Sequence, residues 1–128
     1  MLKLYYAAYL AFQTITLEPL MYLKQGVNIQ GVSIEMQIGL LIANGVYESY
    51  GHEMTVTSLL DGTHSNTSLH YSGNAADLRT RDIPPADRAT ITADIKERCG
   101  VNFDVILEDS HIHMEYQPRK PTWKAIKL

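Results

Sequence analysis

At 128 residues and 45% hydrophobic content, the chain is long enough to bury one core and too short for two ordinary domains. Its formal net charge of -3 shows no basic excess, which removes nucleic acid from the expected partners. A single cysteine, Cys99, excludes a disulfide framework and a cysteine-built zinc site, so any metal must be held by histidine and carboxylate.

The apolar run Leu2 to Phe12, with Lys3 near its start, faintly resembles a signal peptide but lacks a small-residue cleavage site. It is also shorter than the ~20 residues needed to span a bilayer, so stable membrane insertion is not expected. Residues 1–25 read as a leader or extra N-terminal element, amphipathic or disordered, and residues 26–128 as the domain proper. Gly26 and Gly31 make Gln25 to Ser33 a connection. From there Ile34, Ile38, Leu41, Ile42 and Val46 recur at helical spacing, with Ser33 to cap the start and Gly51 to stop it, and predict a core-packing helix. Glu53 to Leu60 favours a strand running into an Asp61-Gly62 turn. Beyond a polar loop and a turn at Gly73-Asn74, Ala75 to Thr80 predicts another strand. A second helix is expected from about Pro84 to Cys99, with Ile91, Ile95 and Cys99 as its buried stripe and Gly100 at its end. The stretch NFDVILEDSHIHMEYQ reads as two strands joined tightly around Glu108 to Ser110. On the second of them His111, His113 and Glu115 share one face, and Ile112, Met114 and Tyr116 the other. The basic tail beyond Pro118, with Pro121 and Trp123, is expected to drape over the domain.

His70 and Asp77 flank the glycine turn, and His113 sits on a strand able to lie beside that of Asp77. Two imidazoles and one carboxylate suit Zn²⁺, and a fourth position left to water belongs to a catalytic site. Glu108 is then the candidate base for that water, and His111 a donor to a developing oxyanion. His-x-His on a strand has an equally ordinary reading, imidazoles satisfied by hydrogen bonds on a half-exposed sheet.

The segment SLHYSGNAADLRTRD, followed by a helix, a strand, an acidic residue and HIH, resembles a zinc-site signature. That signature is shared by D-alanyl-D-alanine metallopeptidases, phage L-alanyl-D-glutamate endopeptidases and the hedgehog signalling domain. The similarity covers roughly Met54 to Tyr116. It implies an α+β fold with a small antiparallel sheet packed by helices. It also implies one zinc ion on His70, Asp77 and His113, a general base at the acidic residue before the last ligand, and assistance from His111. Two departures stand out. The hedgehog domain carries its glutamate four residues before HIH, whereas Glu108 lies three before His111, so Asp109 competes for the role. The stretch TVTSLLDG also lacks the arginine that many cell-wall members use to grip a substrate carboxylate, leaving that task to Arg79 or Arg81, or to none.

The expected function is therefore a zinc peptidase acting on peptidoglycan peptides, with Arg79 and Tyr71 as substrate contacts. Such an enzyme would be held in the host cytoplasm until release to the wall, or be virion-associated, with secretion left open. The competing expectation is a non-catalytic zinc module serving recognition or virion structure. Among the remaining residues, His64 reads as a loop histidine with local hydrogen bonds or a cleft-lining group, and Ser68 as a brace for the turn presenting His70. Arg79 has a structural alternative, an ion pair with Glu108 or Asp82.

Overall fold

A computed structural model describes residues 21–62, 64 and 67–119; the leader expected over Leu2 to Phe12 and most of the tail lie outside them. The described chain runs β1 (Tyr22–Leu23), α1 (Ile34–Ser49), β2 (Thr55–Ser58), β3 (Ala75–Arg79), α2 (Pro85–Cys99), β4 (Phe103–Leu107) and β5 (His111–Tyr116). The class is α+β, as expected. The five-stranded sheet, in the order β1-β2-β3-β5-β4, is however mixed rather than wholly antiparallel, because β1 pairs parallel to β2. Tyr22 and Leu23 are therefore already part of the sheet, ahead of the turns that lead to α1.

Strand alternation divides the sheet into a dry face and a chemical one. Ala76, Leu78, Ile112 and Met114 point to the helices and are fully buried. Each large side chain so buried contributes about 1.5–3 kcal/mol. The residues between them, Asp77, His111, His113 and Glu115, are only partly covered.

Both helices begin and end where expected. Ser33 caps α1 by accepting the Met36 N–H at 3.1 Å, and Gly51 follows it with φ +78°. α2 starts after Pro84 and stops at Gly100, burying Ile91 and Ile95 with Cys99 half-covered. The buried face of α1 matches the expected stripe only in part, at Val46 and the half-buried Ile42. Met36, Leu40, Ala43, Val46 and Tyr47 face the core, while Ile34, Ile38 and Leu41 are exposed at 72%, 52% and 47%. The helix is apolar around most of its circumference, so helical periodicity fits more than one stripe. Packing decided between them. Gly39 on the inward side meets the Phe103 ring so closely that an added Cβ would fall 2.5 Å from it. The Tyr47 hydroxyl donates to the Arg79 carbonyl at 2.8 Å, tying α1 to the end of β3, where the site lies.

Candidate metal centre

His70 enters the site from a run of tight turns, with Tyr71 N–H donating to the Ser68 carbonyl and Gly73 N–H to the His70 carbonyl. Ser68 braces this turn as expected, its hydroxyl accepting the His70 N–H at 3.2 Å. Gly73 is required here: at φ +74° its missing Cβ would stand 2.1 Å from the Gly31 carbonyl oxygen. Ser33 N–H donates to the Gly73 carbonyl, so the turn is fastened to the start of α1. The His70 ring is buried, and its Nδ1 lies 2.6 Å from the Leu59 carbonyl. A carbonyl only accepts, so Nδ1 carries a proton and Nε2 is the nitrogen left to face Asp77. Leu59 is itself held, because its N–H donates to Asp61. Burial opposes the charge on the Asp61 carboxylate, but backbone N–H donors from Asn28 and Leu59 outweigh it and lower its pKa.

The remaining groups come from β3 and β5, antiparallel neighbours whose register sets Asp77 opposite His113 and Arg79 opposite His111. Asp77 Oδ1 is the point of convergence. It lies 2.7 Å from His113 Nδ1, 3.4 Å from His70 Nε2 and 3.5 Å from His111 Nε2. His70, Asp77 and His113 each offer one ligand atom, and these atoms lie within 4.8 Å of one another. Two imidazole nitrogens and a carboxylate oxygen at this spacing form a set that can hold a metal ion, and the donor chemistry fits Zn²⁺.

The electrostatics of the metal-free site follow from the same geometry. Burial works against the charge of Asp77, yet hydrogen bonds from His113 and His70 and the positive field of the histidines hold its carboxyl far below the usual range. The Asp77 hydrogen bond raises the pKa of His113 to about 9; burial opposes the rise and Glu115 adds to it. Without metal, His113 and Asp77 therefore form an ion pair at neutral pH.

Around this set opens a cleft of about 500 Å³, whose walls include His64, Ser68, Glu108, His111 and Glu115. Glu108 and His111 close the two-residue turn between β4 and β5, with Glu108 N–H donating to the His111 carbonyl at 2.8 Å. Their side chains meet as well, Glu108 Oε2 lying 3.4 Å from His111 Nε2. His111 thus stands between Glu108 and the convergence point.

No family model matches the chain. A search of curated proteins likewise returns no match.

Not every residue singled out in the sequence joins the cluster. Arg79 falls on the chemical face by strand alternation, and pairs with neither Glu108 nor Asp82. Tyr71 is 45% exposed and clasps the His64 backbone, accepting its N–H at 2.6 Å and donating to its carbonyl at 3.0 Å. His64 meets both descriptions offered for it. Its Nε2 lies 2.8 Å from the Asp61 carbonyl and 3.2 Å from the Ser58 hydroxyl, and its ring stacks on His70 at 3.9 Å with planes 4° apart. Spacing along the chain carried no signal for that stacking. Glu115, noted only as sharing a face with the paired histidines, makes a 2.9 Å contact with His113 Nε2.

Proposed function

We propose that this protein is a zinc-dependent hydrolase that cleaves peptide bonds in bacterial peptidoglycan, on a fold of the hedgehog and D-alanyl-D-alanine metallopeptidase type. The observation that carries the reading is the convergence of His70, Asp77 and His113 at an open cleft with a carboxylate, Glu108, on its wall. Zinc, when bound, supplies a Lewis acid that brings the pKa of water down from about 15.7 towards ~7. Glu108 would take a proton from the attacking water as the water oxygen adds to the peptide carbonyl carbon. The same proton then passes to the departing amine nitrogen, which leaves as the C–N bond breaks. His111, between Glu108 and Asp77, donates a hydrogen bond to the carbonyl oxygen as it gains charge. Arg79 offers an anchor for a substrate carboxylate further along the same face, and Tyr71 shapes the loop bearing His64.

Incubating the protein with purified muropeptides, with and without chelator, and weighing the products tests this reading. Cleavage that stops on chelation is expected, and Glu108→Gln should abolish turnover while zinc stays bound. Protein that takes up no zinc on reconstitution would overturn it. One observation favours the second reading, a non-catalytic zinc module: among the described residues, no lysine or arginine lines the cleft. Zinc uptake with no cleavage of any muropeptide would favour that module. The route to the wall, by release from the host cytoplasm or within a virion, belongs to the same proposal. No helix among the described residues is long and apolar enough to cross a membrane.

A further inference from the structure

Of the carboxylates lining the cleft, Asp77 and Glu108 have roles in the proposed chemistry and Glu115 has none. Strand alternation nevertheless returns Glu115 to the face of His113, two residues on. Its Oε1 lies 2.9 Å from His113 Nε2, while the other ring nitrogen, Nδ1, lies 2.7 Å from Asp77 Oδ1. The two nitrogens of an imidazole point to opposite sides of the ring, so one group cannot serve both. His70 Nε2 approaches the same Asp77 oxygen, which puts the meeting point of the ligand atoms on the Nδ1 side. Glu115 is then on the far side, where a carboxylate accepts a proton's hydrogen bond rather than binding metal.

We infer that Glu115 is a positioning residue: it holds His113 in the tautomer protonated on Nε2 and so keeps the Nδ1 lone pair aimed at the metal. The inference rests on the reading of His70, Asp77 and His113 as ligands. Its counterpart on the other imidazole is the Leu59 carbonyl, which fixes His70 with its proton on Nδ1 and its lone pair on Nε2. The two rings thus bind through different nitrogens, each set by the acceptor behind it. Glu115 is suited to this task because no lysine or arginine pairs with it among the described residues, so its charge is directed at the ring.

The test uses the full chain. Zinc affinity is measured by competition with a chromophoric chelator for the unsubstituted protein, Glu115→Ala and Glu115→Gln. Long-range proton–nitrogen NMR spectra of the zinc-loaded unsubstituted protein report which His113 nitrogen carries the proton. Affinity should fall about 10–100-fold in Glu115→Ala, and Glu115→Gln, whose side-chain oxygen still accepts from Nε2–H, should recover most of it. The spectra should show a protonated Nε2 and a metal-bound Nδ1. Equal affinity in Glu115→Ala, or metal on Nε2, overturns the role of Glu115 alone. Absence of zinc binding by the unsubstituted protein overturns the ligand set and this inference together. Should Glu115→Ala not fold, the tautomer in the unsubstituted protein still decides.

Discussion

His70 and His113 are the same residue type aimed at the same carboxylate oxygen, and the fold presents them in opposite ways. His70 comes from a loop, is buried, and is backed by a neutral carbonyl. His113 comes from a central strand, keeps 16% of its side chain exposed, and stands between two carboxylates. Orienting a ring is therefore separable from charging it. A carbonyl fixes a tautomer and adds no net charge, whereas a carboxylate fixes a tautomer and also favours the protonated ring.

Asp77→Asn strikes at what the two histidines share and should have the largest effect. It removes the anionic ligand and the charge both rings face, so zinc affinity in a chelator competition should drop by more than the ~10–100-fold typical of outer partners. Next in size is a pH effect belonging to His113 alone. Its pKa of about 9 in the folded, metal-free protein exceeds its ordinary 6.5, so its contribution to stability is complete below about pH 6.5. That contribution is lost as the pH rises through about 9. The urea midpoint of metal-free protein should therefore fall over this window, and the fall should vanish in His113→Ala. A flat profile in the unsubstituted protein would mean that Asp77 does not hold the His113 proton. Over the same range zinc must displace that proton, so apparent affinity should climb with pH.

Gly73→Ala disturbs the His70 side only. A side chain at φ +74° costs on the order of 1–3 kcal/mol, to which the collision with the Gly31 carbonyl adds. Denaturation should show the loss, and zinc binding should weaken with the β3–β5 pairing intact by amide exchange. Ser68→Ala is the mildest test, expected to cost about 0.5–1.5 kcal/mol through the hydrogen bond to the His70 N–H. If it costs nothing, the turn is held by Gly73 and Ser33 alone.

The parts legible in the sequence are those governed by local rules. α2 is readable because its prolines, glycine and single apolar stripe agree with one another. The two-residue period of His111 to Glu115 is enough by itself to put the paired histidines on one face of a strand. α1 shows where such reading stops, since a helix apolar nearly all round leaves the choice of face to its neighbours. Here Phe103 against Gly39 and Tyr47 against Arg79 made the choice. β1 is too short, at 2 residues, to have a period. The stacking of His64 on His70 depends on how the chain travels from Asp61 to Ser68, and no spacing rule encodes that path. Glu115 is visible in the sequence as a residue and silent as a partner, because its role exists only once His113 has a carboxylate on the other nitrogen.

The fastening of Gly73 to Gly31 and Ser33 has a further consequence for how this protein can vary. One end of the loop before His70 is pinned by Asp61, which takes the N–H groups of Leu59 and Asn28. The other is pinned by the glycine contact and the Ser33 hydrogen bond. Between two such anchors, lengthening a loop costs only about 0.6 kcal/mol per doubling. Changes of length between Gly62 and Ser68 can therefore rebuild the wall of the cleft that carries His64, while the buried imidazole keeps its place.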